Sequence, residues 1–350
     1  VKNIEKKRII LHLDMDYFFA QIEERENPHF KGKPLVVGAD PKKGKGRGVV
    51  STCNYEAREY GIRSGMAISR AYSLCPTAIF LPVNMSLYKR ISISVFKIIK
   101  KSFSKYEKVS LDEAYVDITE KVNNFKSAEI KGDTLRDEIY KREKLRSSVG
   151  ISGNKMMAKI ACELAKPNGI KVILPKNSKK IISKMGVEVV PGIGPKTKKI
   201  IGRKLDKKEP RVKDANTLSK RELKEMLGKR GEDFYCMFRG IDHSPVEEKR
   251  EIKSIGREHT FQEDTRDSAK IIETFKKIVN EVFEEAKNKK IKGITVVCRF
   301  EDFQTRTRQI SFDAKRYDND FYYKKGISLL LGLLTENNKK IRLVGFRVRV

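Results

Sequence analysis

Two apolar runs in this chain finish on acids. Arg8–Ala20 reads RIILHLDMDYFFA and Val109–Asp117 reads VSLDEAYVD, which places Asp14 and Asp16 in the first run and Asp112 and Glu113 in the second. A stretch such as Ile9–Ile10–Leu11 builds a sheet interior, where a carboxylate is costly unless it is paired, hydrogen-bonded or bound to a cation. Two adjacent strands of this kind bring several carboxylate oxygens together. Such a group suits hard dications, Mg²⁺ before Zn²⁺, because no Cys or His belongs to it. Helix caps and turn acids are the plain alternative for either run alone. The pair, in so basic a chain, points to catalysis.

Basicity bears on the partner. Lys and Arg number 76 against 46 Asp and Glu, a formal charge of +30 over 350 residues. That excess implies a polyanion, nucleic acid first, although simple surface solvation also produces basic chains. The length allows three or four small domains. The opening VKNIEKKR runs into a strand without an apolar leader, and no stretch approaches bilayer-spanning length. A soluble, cytoplasmic protein with no membrane partner is expected. The cysteines, 53, 75, 162, 236 and 298, lack any C-x-x-C spacing and are expected as reduced thiols in packed positions.

Along the chain, periodicity predicts helices over 18–25, 54–60, 68–74, 84–103, 126–145 and 154–165, with strands at 34–38, 48–53, 148–151 and 170–173. This alternation predicts an α+β sheet domain with helices on one face. Residues 175–240 change to short helical pieces rich in lysine. Within them VVPGIGPKTKKI places Gly192 and Gly194 in a tight turn before Lys196, Lys198 and Lys199, a helix-hairpin-helix pattern whose backbone N–H groups can face a phosphate. After a polar stretch at 241–251, residues 252–350 read β-α-β-β-α-β, a second, ferredoxin-like unit. Arg299, Arg306, Arg308, Arg347 and Arg349 are expected on its open sheet face, available to a DNA backbone or simply solvated.

Phosphoryl transfer from a triphosphate uses two divalent ions, one activating the attacking 3′-oxygen and one holding the triphosphate. Asp14 and Asp112 are candidates to bridge them, with Glu113 on the activating ion and the Met15 carbonyl as a further ligand. Asp16 reads as a structural helix cap. Tyr55 and Arg58, three apart in NYEAR, and Lys166 in AKPNG supply positive charge and hydrogen bonds for phosphates. Lys166 also fits ordinary pairing with a helix dipole.

DMDYFFAQIE, STCNYEAR, SLDEAY, GISGNKMMAKIACELAKPNG, VPGIGPKT and KSIGRE, in this order, resemble the Y-family (DinB-like, translesion) DNA polymerases of the archaeal type. The resemblance runs from about Arg8 to Val350. It implies a multidomain right hand: a ferredoxin-like palm at 8–17 and 84–173, small fingers at 18–83, a helical thumb with its helix-hairpin-helix at 174–242, a linker at 243–251 and a little finger at 252–350. It further implies metal ligands at Asp14, Asp112, Glu113 and the Met15 carbonyl, holding two Mg²⁺ ions with Mn²⁺ as a substitute. Triphosphate contacts fall on the Tyr17 and Phe18 backbone, Tyr55, Arg58 and Lys166. A steric gate against the 2′-hydroxyl falls on Phe19, and cover for the nascent pair on Val49, Ser51 and Cys53. Ser51 and Cys53 stand where archaeal relatives often carry alanine. The implied activity is low-fidelity translesion synthesis on primer-template DNA from dNTPs, without proofreading, by a monomer. The family's short clamp-docking tail is absent from this chain, so a sliding clamp is expected as a partner through a segment outside it.

Two other readings use the same residues. A nucleotidyl cyclase-like palm also pairs acids around two metals, but has no need of a helix-hairpin-helix and a basic second sheet. An inactive DNA-binding scaffold would not need the full set of carboxylates.

Overall fold

Ile10–Met15 alternates its side chains between two covered surfaces, and in the computed structural model it is the central strand of a five-stranded sheet. The structure describes residues 8–248, 251–313 and 318–350. In chain order, β1 (Ile10–Met15) leads through α1 (Phe18–Glu26), β2 (Leu35–Gly38), β3 (Val50–Cys53), α2 (Tyr55–Glu59) and α3 (Ile68–Leu74) to β4 (Ile79–Leu81). Then come α4 (Met85–Ser102), β5 (Tyr106–Lys108), β6 (Glu113–Asp117), α5 (Phe125–Glu143), β7 (Ser147–Ser152), α6 (Lys155–Ala165) and β8 (Ile170–Val172). Strands β4 and β5, three residues each, are too short to show an alternation in sequence.

The large sheet has the order β5-β6-β1-β7-β8, antiparallel except for the β7–β8 pair. Leu11, Leu13 and Met15 face a core shared with Tyr88 and Val95 of α4 and Leu135 and Ile139 of α5. The opposite face is covered too, contrary to the one-sided arrangement expected from sequence. Gly150 of β7 is in register with His12, and a Cβ there would lie 2.0 Å from the Ala158 carbonyl, so α6 presses directly on the strand backbone. The small residues Ser148, Gly150 and Ser152 on one side of β7 make this approach possible, and they read in sequence only as an unremarkable strand.

The helices α7 (Pro175–Ile182), α8 (Pro195–Leu205), α9 (Val212–Ala215), α10 (Lys220–Leu227) and α11 (Lys229–Met237) build a separate apolar cluster, in which Ile201, Leu223 and Phe234 pack with Met157 and Ile160 of α6. Gly192, at φ +92, turns the chain into α8, and a Cβ there would meet the Arg230 guanidinium at 2.1 Å. The polar stretch that follows is anchored rather than loose over its described part. Val246 is buried with Ile10, Tyr115 and Ala158, and Arg8 donates to the Ser244 carbonyl at 2.8 Å. Residues 249–250, also read as linker, lie outside the described residues, as do 1–7.

All of these elements except α3 belong to one compact unit comprising the described residues up to Gly38, Val50–Gly65 and Thr77 to 248. The other unit gathers Ala39–Val49, Met66–Pro76 and the C-terminal region. Here β9 (Ser254–Thr265), α12 (Ser268–Ala286), β10 (Gly293–Phe300), β11 (Thr305–Ser311), α13 (Asn319–Thr335) and β12 (Ile341–Arg349) follow the expected β-α-β-β-α-β order and form a sheet β11-β10-β12-β9. Its register separates the arginines. Arg306 and Arg308 oppose the buried Cys298 and Val296, so they share the helix-covered face, and Arg308 pairs with Glu336 just after α13. Arg299, Arg347 and Arg349 lie on the open face; only those three of the five meet the sequence expectation. The reason is the two-residue period of an antiparallel pair, which fixes a side chain's face by its partner rather than by its charge.

Candidate active site

The antiparallel pairing of β1 with β6 sets Asp14 directly opposite Glu113, and the Met15 amide donates to the Asp112 carbonyl at 2.9 Å. Asp14 and Asp112 line one cavity of about 260 Å³ together with Met15. Burial pushes the Asp14 carboxyl up to about 7, with Lys166 opposing and Asp112 adding to the rise. Asp112 is raised as well, first by burial, against the hydroxyl of Ser110 that donates to it. Two acids held away from water and close to one another are a site that favours a cation. Lys166 supplies one, with Nζ 2.8 Å from Asp14 Oδ1. Burial alone would lower that lysine, but Asp14 and Glu163 carry it above the ordinary range.

Glu113 is placed differently. Its carboxylate is held below the usual range by His12 and by the Lys159 ammonium, which donates to it. His12 Nε2 stands 3.4 Å from Glu113 Oε2, a long contact, so Lys159 is the stronger partner. Among the described residues, no three His, Cys, Asp or Glu side chains are grouped closely enough to hold a metal. The donor set nonetheless fits a hard dication: two part-buried carboxylates beside a backbone carbonyl, all oxygen, at one cavity.

The turn after β1 gives the cavity its phosphate-facing wall. Tyr17 adopts a left-handed conformation (φ 36) as the residue before α1, and no side chain caps that helix. The first amides of α1 are therefore open to an anion. Tyr17 and Phe18 line the cavity with Arg58 and Lys166. Tyr55 packs edge-on against Tyr17 at 5.1 Å, Arg58 lies 4.9 Å over the Tyr55 ring, and the Tyr55 hydroxyl is buried without a hydrogen-bond partner. A buried hydroxyl beside a guanidinium is suited to an anionic oxygen. Phe19 also lines the cavity, with its ring stacked on Tyr88 at 4.2 Å and 14°.

Asp16 does not cap α1. It is 1 % exposed, and its carboxylate accepts from the Ser148 hydroxyl at 2.8 Å and from the Asn168 amide at 2.6 Å. Of the residues expected over the nascent pair, Ser51 lines the cavity. Cys53 is buried and gives its thiol to the Ile62 carbonyl at 3.5 Å, while Val49 is exposed without lining the cavity. Thr52 and Ser64 line it and were not singled out in the sequence. The pattern of β3, buried Val50 and Cys53 around accessible Ser51 and Thr52, was the signal available for Thr52.

Residues 13–163 match the family model described as the impB/mucB/samB family, and residues 252–349 match that of its C-terminal domain. A DNA polymerase IV 2 from Methanosarcina mazei is 40% identical, over 99% of this chain and 93% of that protein. A DNA polymerase IV from Clostridium perfringens (strain SM101) is also 40% identical, over 99% and 95%. Among solved structures, a Y-family DNA polymerase chimera, Dbh-Dpo4(243-245)-Dbh, superposes with a TM-score of 0.88 at 33% identity, covering 97% of this chain and 98% of that one. An insertion ternary complex of Dbh DNA polymerase gives 0.67 at 33% identity with the same coverage.

Proposed function

This chain belongs to the impB/mucB/samB family and is a Y-family DNA-directed DNA polymerase, and from that premise we propose that it extends primer 3′ ends across damaged template by two-metal nucleotidyl transfer, with low fidelity and no proofreading. The observation that carries the reading is the convergence of Asp14 and Asp112 on one cavity with Lys166 and Arg58. The family relationship over nearly the whole chain leaves no place for a cyclase. We assign the palm to 8–17 and 84–173, fingers to 18–83, thumb to 174–242, linker to 243–251 and little finger to 252–350.

Asp14, Asp112, Glu113 and the Met15 carbonyl would hold two Mg²⁺ ions, which supply charge neutralisation and activation of the primer 3′-oxygen when bound. Lys159 and His12 both face Oε2 of Glu113, so Glu113 would take part through Oε1. The triphosphate is bound by Lys166, Arg58, the Tyr55 hydroxyl and the open amides at the start of α1, each directed at charge that shifts toward pyrophosphate as the bond breaks. Phe19 on Tyr88 forms the floor beneath the sugar. Ser51, with Thr52 beside it, bounds the space for the nascent pair, and small side chains there check base-pair shape weakly. Primer-template DNA and dNTP are the partners, with a sliding clamp as a further one; the protein acts as a monomer in the cytoplasm. Among the described residues no helix is long and apolar enough to cross a membrane.

Primer extension with undamaged and abasic templates tests the proposal. Mg²⁺-dependent elongation past the abasic site is expected, and extension that stops at every lesion would overturn the translesion reading.

A further inference from the structure

Lys166 sits just beyond α6, in a short turn before β8 that also contains Asn168 and Gly169. That turn is fastened on two sides at one residue. The Asn168 amide donates to Asp16 Oδ2 at 2.6 Å, while the Asn168 carbonyl and side-chain oxygen accept from Arg136 Nη2 at 2.6 and 3.0 Å. Arg136 is itself tied to β7 through the Ser147 carbonyl at 3.0 Å. Asn168 holds a left-handed backbone (φ 49), a conformation asparagine adopts readily in a turn. Asp16 does not line the cavity that Asp14 lines; its second oxygen is taken by Ser148. No lysine or arginine among the described residues pairs with it, so this buried carboxylate is satisfied by two hydrogen-bond donors, one of them the turn.

We propose that Asp16 is a positioning residue for nucleotide binding: its carboxylate fastens the Asn168 peptide, and through it holds Lys166 where the triphosphate lies. This rests on the assignment of Lys166 to the triphosphate. The second acid of the D-x-D sequence thus serves the opposite charge to the first, fixing a cation for the substrate. Arg136 holds the same peptide from the other side. Asp16→Asn keeps the shape, and the Ser148 hydroxyl can turn to accept from the new amide, but the bond from the Asn168 amide loses its charge assistance and about half its strength.

The test is single-turnover dNTP titration on primed template with wild type, D16N, K166A and the double variant, with folding followed by circular dichroism. D16N is expected to weaken dNTP affinity about tenfold while the maximal rate changes less than about threefold, and to have little further effect in the K166A background, the coupling that a shared path requires. Equal effects of D16N in both backgrounds, or a fall in rate with affinity unchanged, would overturn the inference while leaving Lys166 its role. If K166A binds dNTP as well as wild type, the assignment of Lys166 fails first and the inference with it. Should D16N melt early, Arg136→Gln releases Asn168 from the opposite side. It must weaken dNTP affinity in the same direction, and unchanged affinity there would also overturn the inference.

Discussion

Asp14 Oδ1 lies 2.8 Å from Lys166 Nζ, so the acid near the end of β1 and the base just beyond α6 neutralise each other beside the cavity they both line. In the proposed reaction each must change partner, Asp14 to a cation and Lys166 to a phosphate. The pair therefore keeps two opposite charges ready in a part-buried place, where either one alone would be costly.

Proton competition at Asp14 is the first consequence. Its carboxyl is raised to about 7 by burial, so below that pH it is largely protonated, and a dication must displace the proton. Affinity for Mg²⁺ should thus fall as pH falls. Between pH 8 and pH 6 the ionised fraction of such a group drops about tenfold, and the apparent Mg²⁺ affinity should drop by about the same factor. Calorimetric titration without nucleotide, in two buffers of different ionisation enthalpy, should show proton release near neutrality. Removing the Asp112 charge (D112N) takes away one of the contributions that raise Asp14 and should move the release to lower pH. Affinity independent of pH across this range would contradict the assignment.

Asp112→Ala should separate binding from chemistry. DNA affinity rests on basic contacts elsewhere and should stay within about twofold of wild type in filter binding. Extension should fall by several orders of magnitude, because the lost carboxylate holds charge in the transition state. A D112A protein extending within tenfold of wild type would remove Asp112 from the site.

Part of this site is legible in the sequence. The clash of an apolar strand with its own acids drew attention to Asp14 and Asp112, and the fold brings both to one cavity. Helices such as α4 and α12 were plain from their periodicity. What failed to show was everything decided by which side of a strand a residue takes. Cys53 was expected at the nascent pair, yet its neighbour Thr52 lines the cavity. Arg306 and Arg308 turned to the helix-covered face because their partners across the ladder are Cys298 and Val296. Asp16 was read as a cap, because its true partner, Asn168, is 152 residues away. Local sequence carries no signal for a bond of that span.

Salt should govern DNA affinity, and no exonuclease should accompany the polymerase. The chain's charge of +30 implies neutralisation of several phosphates, so the logarithm of affinity should fall linearly with the logarithm of salt, by close to one unit for each phosphate engaged on duplex. Fluorescence anisotropy across a salt series gives the slope. The same preparation, incubated with a mispaired 3′ end and Mg²⁺, should leave it intact. Shortening of that end by the pure protein would reveal a nuclease that the proposed domains do not contain.

Phe19 offers the sharpest separation of two roles. Its ring lies nearly parallel to Tyr88 at 4.2 Å, so its position is imposed from below, while its accessible side lines the cavity. A rigid aromatic floor leaves no room for a 2′-hydroxyl and offers it no hydrogen bond, so a ribonucleotide either clashes or loses solvation. The stacking also makes Phe19 part of the apolar core around Tyr88, and truncation to alanine should cost some stability. The two effects are distinguishable because they act on different quantities. Loss of packing lowers the melting temperature and depresses use of both nucleotides alike. Loss of a gate changes their ratio. F19A should keep dCTP insertion opposite template G within about tenfold of wild type and raise CTP insertion a hundredfold or more, a change in selectivity of about 3 kcal/mol. Single-turnover insertion of both nucleotides, measured at a temperature well below the melting point of the variant, provides the ratio. A discrimination ratio unchanged in a folded F19A protein would show that the ring serves packing alone, and that the sugar is read elsewhere on the cavity wall.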